Sequence, residues 1–220
     1  MEVVKKLPIS YIYTRMIREE IKKLTKPVTL KIFTSSKNPQ ESVKMMKVMD
    51  IYQEASNELL KIEEYELETN SDLVKKYEIQ QAPTILMTNA RDQVIIRYLA
   101  VPTAAKIQPF VQALMVLTGT PNYYEKVIKE NLKKIKPTVI KVLITDYCAY
   151  CSTVISICSQ FALASEGKLQ TSIIDIMAYP DISEHYNATT VPTLIVNEDK
   201  KLIGDITAEE LLNELIDKTL

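Results

Sequence analysis

Apolar residues in this chain fall into runs of two kinds. Val139 to Ile144 is a short, nearly unbroken apolar stretch of the length a buried strand needs. From Ala149 to Ser165 the apolar positions recur at helical spacing instead, and Gly167 is placed to end that helix. Leu194 to Val196 reads as a further strand, directly after Val191-Pro192-Thr193. Earlier in the chain, Ile107 to Leu117 forms an apolar helix. The turn-rich stretch Thr118-Gly119-Thr120-Pro121-Asn122 follows it and holds one of only three glycines.

The pattern occurs twice. Shifting the chain by 110 positions lays Lys26-Pro27-Val28-Thr29-Leu30-Lys31-Ile32-Phe33 on Lys136-Pro137-Thr138-Val139-Ile140-Lys141-Val142-Leu143. With a slip of one residue, Lys75-Lys76-Tyr77 to Ala82-Pro83-Thr84 then falls on Glu184-His185-Tyr186 to Val191-Pro192-Thr193. The helical stretches Met16 to Leu24 and Lys126 to Lys134 precede the two matching strands, so each unit carries its own leading helix. The repeat and the turn-rich stretch divide the chain into units 1–118 and 119–220, and Pro83 is the first unit's counterpart of Pro192.

Composition narrows the classes. At 220 residues and 46% hydrophobic, the chain has material for two cores of about 100 residues each. A net charge of −1 gives no electrostatic footprint for nucleic acid, and Lys22-Lys23 and Lys133-Lys134 lie among acids as solvated helix surface does. Met1 to Pro8 carries charges and lacks the apolar stretch of an export signal, and no run of about 18 apolar residues occurs anywhere. The expectation is a cytoplasmic protein with no membrane partner. Three cysteines, an odd number, argue against a secreted disulfide framework, and few glycines with abundant Ile, Lys and Glu agree with a thermophilic source.

The chemistry concentrates in Thr145-Asp146-Tyr147-Cys148-Ala149-Tyr150-Cys151. This segment joins the strand to the helix, which places Cys148 at the helix N-terminus. Unpaired N–H groups and the helix dipole favour a thiolate there, lowering a free-thiol value near 8.5 to about 3.5–7.5. Cys148 is the candidate nucleophile, and Cys151, three residues on, is placed to attack a mixed disulfide at Cys148. A zinc site is the competing use of this spacing, but its second ligand pair is missing: the remaining cysteine is Cys158 and the one histidine is His185. No metal and no cofactor are expected. Cys158 sits on a buried stripe with Val154, Ile155, Ile157 and Phe161 and reads as core, and His185 reads as the solvent side of a short helix. Asp146 opposes thiolate formation, and no Lys or Arg lies between Val142 and Cys151 to offset it.

The ordered strand, C-x-x-C helix, Val191-Pro192-Thr193 and following strand resemble a thioredoxin-fold disulfide oxidoreductase. Two such units in a chain of this size resemble the glutaredoxin-like protein disulfide oxidoreductases of heat-loving microbes. Arg97-Tyr98-Leu99-Ala100-Val101-Pro102 and Ile203-Gly204-Asp205 add to the likeness. It implies an α/β fold of two tandem thioredoxin-like domains, each a central mixed sheet flanked by helices. It also implies that Pro192 is cis, that Val191 and Pro192 with Tyr150 contact an extended client, and that Cys148 and Cys151 form the redox-active disulfide. Relatives commonly carry C-x-x-C in both units. Here Asn38 and Glu41 stand at those positions, so the first unit performs no thiol exchange.

The N-terminal domain of alkyl hydroperoxide reductase flavoproteins also pairs a degenerate first unit with an active second one. No flavin-binding extension or G-x-G-x-x-G follows here, which makes a separate flavin-dependent, thioredoxin-reductase-like donor the expected partner. Val142 stands where thioredoxins carry a buried acid, and Ala149-Tyr150 fills the dipeptide that sets the potential between about −270 and about −120 mV in this fold. The leading function is a thiol–disulfide oxidoreductase acting on protein thiols and disulfides. The alternative is a redox-sensing or chaperone-like binding module with the first unit as docking surface. Glutathione-linked chemistry ranks below both, since no anion-binding cluster adjoins the C-x-x-C.

Overall fold

The structure, a computed structural model, describes residues 9–216. The segment 1–8 that was read for an export signal lies outside the described residues. The first half of the chain supplies α1 (Tyr11–Ile21), β1 (Val28–Thr34), α2 (Pro39–Ala55), β2 (Leu60–Glu66), α3 (Ser71–Lys76), β3 (Thr84–Thr88), β4 (Val94–Leu99) and α4 (Ile107–Leu117). The second half repeats that order as α5 (Glu125–Asn131), β5 (Thr138–Ile144), α6 (Cys151–Ala164), β6 (Leu169–Asp175), α7 (Pro180–His185), β7 (Thr193–Val196), β8 (Lys200–Ile203) and α8 (Ala208–Leu215).

β1 and β5, the segments aligned by the internal repeat, share one burial pattern: buried at the first, third and last three residues and exposed at the second. Alternation follows from side chains pointing to opposite faces, and the buried run at the end marks where both faces are covered.

Composition gives material for two cores, and the resemblance implies a mixed sheet in each unit. The structure instead joins the strands into one eight-stranded sheet in the order β2-β1-β3-β4-β6-β5-β7-β8. The join is a parallel pairing of β4 with β6, from Ile96 opposite Thr171 to Leu99 opposite Ile174. Both strands are almost wholly buried, and an apolar strand left at an open edge invites pairing, so the two halves satisfy each other. Over the join, α4 lies against α6, and one continuous core runs from Ile17 to Leu215 through Tyr98, Phe110, Leu114 and Phe161.

α3 and α7 cover the opposite face over two smaller clusters, one around Tyr77, Ile79 and Leu86 and one around Tyr179, Ala188 and Ile195. Within each half only β3 and β7 run against the other strands. One edge of the sheet therefore collects the carboxyl ends of β1, β2, β4, β5 and β6 and the amino ends of β3 and β7. That is the edge at which open α/β sheets place their sites.

Candidate active site

The chain leaves β5 at Ile144, passes through 145–150 and enters α6 at Cys151, with Tyr150 as N-cap. The sequence placed the helix start at Ala149 and Cys148 on its N-terminus. In the structure Cys148 lies two residues ahead of the N-cap. The repeat shows why: α2 begins on Pro39, whose fixed φ suits the first helical position. The second half has Ala149 there, while the turn ahead of it is alike in both halves: the Cys148 N–H donates to the Thr145 carbonyl at 3.4 Å and the Asn38 N–H to the Ser35 carbonyl at 3.3 Å. Helix-dipole stabilisation fades within the first turn, so it acts more directly on Cys151 than on Cys148.

The sulfurs of Cys148 and Cys151 are bonded, with the Cα atoms 5.4 Å apart. Cys148 is 9% exposed, Cys151 1% and Cys158 0%. Only the first of the three can be met from outside. Burial pushes the Cys158 thiol up to about 12, and its surroundings are apolar core, as its stripe implied. His185 ends α7 in an exposed position with its ring against Tyr186, away from the thiols' role.

Tyr147 and Tyr150 in the cysteine loop are 95% and 61% exposed, leaving apolar rings in water beside the disulfide. The neighbouring loop contributes exposed Met177, because β5 and β6 end side by side: Ile144 pairs with Asp175, and the Ile176 N–H donates to the Ile144 carbonyl at 3.0 Å. Val191 and Pro192 reach this edge too. β7 starts at Thr193 opposite Leu143, so the two residues before it stand beside the exit of β5. The Val191–Pro192 bond is cis, Val191 is half-buried, and the Pro192 carbonyl accepts from the Gly204 N–H at 2.9 Å.

In the first half the Ala82–Pro83 bond is also cis, yet its surroundings differ. The Asn38 Nδ2 donates to the Ala82 carbonyl at 3.3 Å, and the Tyr179 hydroxyl, from the second half, donates to the Pro83 carbonyl at 2.7 Å. Gln81 Nε2 donates to Asp181 at 2.7 Å. This loop is spent on packing within the molecule, which counts against its use as a docking surface for clients.

One charged residue escaped the sequence reading. Lys106, just past the end of β4, is 1% exposed, and its ammonium forms an ion pair with Asp146, two residues ahead of Cys148. Asp175 lies 3.8 Å from the same nitrogen. Burial pushes Lys106 down to about 8, while the Asp175 carboxylate acts against that. The charge of Asp146, which appeared uncompensated within its own segment, is thus answered by a residue 40 positions earlier. Nothing local marks Lys106, a lone cation at the head of an apolar helix. Its partner becomes visible only once β4, β6 and β5 are laid side by side.

A groove of about 710 Å³ lies between the segment 78–81 and α7, lined by Gln81, Arg97, Ser172, Asp181 and others, with no residue of 145–151 among them. Among the described residues no group of three or more His, Cys, Asp or Glu is placed to hold a metal, and no helix is long and apolar enough to cross a membrane.

With this geometry in view, the profile of the Thioredoxin domain family matches residues 138–217. A protein disulfide oxidoreductase from Aeropyrum pernix K1 superposes with a TM-score of 0.81 at 23% identity, over 95% of this chain and 93% of that one. The NTD_N/C domain of the alkylhydroperoxide reductase AhpF from Enterococcus faecalis V583 gives 0.81 at 18% identity, over 94% of this chain and 100% of that one. By sequence, the chain is 23% identical over 143 residues to an NADH dehydrogenase of Bacillus subtilis. The match takes in 64% of this chain and only 28% of that protein, so the chain spans little more than a quarter of that relative's length. Residues 138–217 thus match the Thioredoxin domain family, and nearly the whole chain shares the fold of these two solved structures.

Proposed function

We propose that this protein is a thiol–disulfide oxidoreductase that acts on protein disulfides through Cys148 and Cys151. The observation that carries this reading is the disposition of the two sulfurs, bonded to each other at the sheet edge with Cys148 outward and Cys151 inward. In the reducing direction the Cys148 thiolate attacks one sulfur of a client disulfide. A bond forms between them, and the client's other sulfur leaves as a thiolate that takes a proton from solvent. The Cys151 thiolate then attacks the Cys148 Sγ, the Cys148–Cys151 bond forms, and the client's first sulfur departs. Two electrons have passed to the client. In the oxidising direction the same steps run backwards from the bonded form.

Val191 and Pro192, together with Tyr150, are proposed to hold an extended client segment beside Cys148. Their place at the amino end of β7 next to the exit of β5 supports this. The name of the Aeropyrum protein supports the substrate class. Division into domains at 118/119 is part of the same proposal, with the first domain as support for the second. A flavin-dependent, thioredoxin-reductase-like donor returns two electrons to the dithiol, a class supported by the likeness to an NADH dehydrogenase and to AhpF.

Insulin reduction tests the proposal. Cys148→Ser is expected to abolish turnover, and Cys151→Ser to abolish it while accumulating a client joined to Cys148, visible on a non-reducing gel. Turnover unaltered in Cys148→Ser would overturn it.

A further inference from the structure

Resting on that assignment of Cys148 as the attacking sulfur, we infer that Lys106, supplied by the half without cysteines, is a positioning residue for the dithiol of the other half. Its ammonium cancels the charge of Asp146 and fixes the loop 145–148 against the end of β6, so that the Cys148 thiolate is favoured.

Geometry carries the argument. Lys106 ends the short 3₁₀ turn Ala104–Lys106, which packs on α6, the helix that begins with Cys151. The turn is entered through Ala104 at φ +50°, a backbone conformation unfavourable for a residue with a Cβ and held only where the surroundings over-determine it. At its tip the ammonium meets two carboxylates from two different elements, Asp146 in the cysteine loop and Asp175 at the end of β6. Lys106 thus ties together the two loops that flank the disulfide.

Charge counting gives the sign. Besides the carboxylates of Asp146 and Asp175, Lys44 and Glu41 of α2 act on Lys106 in opposite directions, Lys44 the more strongly. With Lys106 charged, the two carboxylates share one cation. Without it, Asp146 would stand uncompensated two residues from the sulfur that must ionise, and a nearby like charge disfavours ionisation. Buried ion pairs contribute little net stability compared with apolar replacements, so the consequence of this one is the field it sets at the adjoining thiol. The lowering of Lys106 by burial stops at about 8, which leaves the cation in place at neutral pH.

The test follows the Cys148 thiolate directly, by ultraviolet absorbance and by iodoacetamide rate against pH, in full-length protein carrying Cys151→Ser. Lys106→Gln is expected to raise the titration midpoint by about one unit, a roughly tenfold slower alkylation below the midpoint. Lys106→Arg is expected to restore the parent profile. Lys106→Gln combined with Asp146→Asn is expected to return close to it, since the charge to be cancelled has gone. Asp146→Asn alone is expected to lower the midpoint, which keeps the test intact should Lys106→Gln not fold. An unchanged midpoint in folded Lys106→Gln, or a double variant as displaced as the single one, overturns the inference. These readouts are independent of any client: a titration that responds to Lys106 in a protein that fails to reduce insulin would sink the proposed function and leave the role of Lys106 standing.

Discussion

Asp92 shows how much a single surface carboxylate can organise. It sits in the β3–β4 turn at φ +59° and accepts from Lys76 Nζ at 2.5 Å, the Tyr77 hydroxyl at 2.8 Å and Lys31 Nζ at 3.2 Å. Lys76 and Tyr77 foremost, with Lys31 behind them, hold its carboxyl down at about 2, below the ordinary 3.8. A carboxylate whose folded value is depressed lends stability above its unfolded value and loses it as pH falls through the folded one. Asp92→Asn keeps a side chain that tolerates positive φ, so the substitution tests charge rather than backbone. The expected result is a variant less stable than the parent at neutral pH by about 0.2–1 kcal/mol, small because the group is partly exposed and screened. The gap should begin to close below about 3.8 and be gone below about 2. Thermal melts of both proteins across that range check it, and a gap independent of pH would show that the carboxylate charge is not its source.

At the scale of elements, Gly119 is the residue on which the passage from α4 to α5 depends. It follows the C-cap Thr118 at φ +100°, with its N–H on the Val116 carbonyl at 3.0 Å. A Cβ there would meet only the Lys26 Nζ at 3.0 Å, the movable tip of a long chain, so the obstacle to alanine is the backbone itself. Gly119→Ala is expected to destabilise by about 1 kcal/mol or more and to lower the melting temperature. Adding Lys26→Ala should not rescue it, and rescue would move the cause from backbone to side-chain crowding. This turn was legible in the sequence, as was α4, whose observed bounds are those its apolar spacing gave. β5 differed by one residue at its start, and the start of α6 shifted by two. Local periodicity defines the middle of a helix well, but its first residue depends on cap chemistry, and α6 begins on Cys151 after Tyr150 where α2 begins on Pro39 after Asn38. Within the site, Cys148, Cys151 and Pro192 are carried by local spacing. Lys106 is carried by the adjacency of β4 and β6, which no local pattern contains.

That adjacency governs the whole molecule. A repeat of two units reads in the sequence as two cores, because each unit holds a full set of elements. What the repeat does not encode is the fate of the outermost strands β4 and β6, whose apolar residues are buried only when they pair. Their pairing brings α4 onto α6 and fuses the interiors, with Phe110 and Leu114 from one half in the same cluster as Val154 and Phe161 from the other. The Tyr179 hydroxyl bound to the Pro83 carbonyl and the Lys106 pair with Asp146 span the same seam with polar contacts. Two units sharing one sheet and one core have no separate route to unfolding: opening either exposes apolar surface of both. Leu114 lies fully buried in α4 at this seam, and Leu114→Ala is expected to cost about 2–5 kcal/mol through lost burial and the cavity left behind. The expected outcome is a single transition displaced to lower temperature, with the calorimetric enthalpy equal to the van 't Hoff value in both parent and variant. Hydrogen exchange supplies the sharper readout. Amides of β5 and β7, far along the sheet from the substitution, should lose protection together with those of β1 and β3. Protection lost in the first half alone, or a transition that splits in two, would show that the halves unfold as independent bodies and that the continuous sheet is only a contact between them.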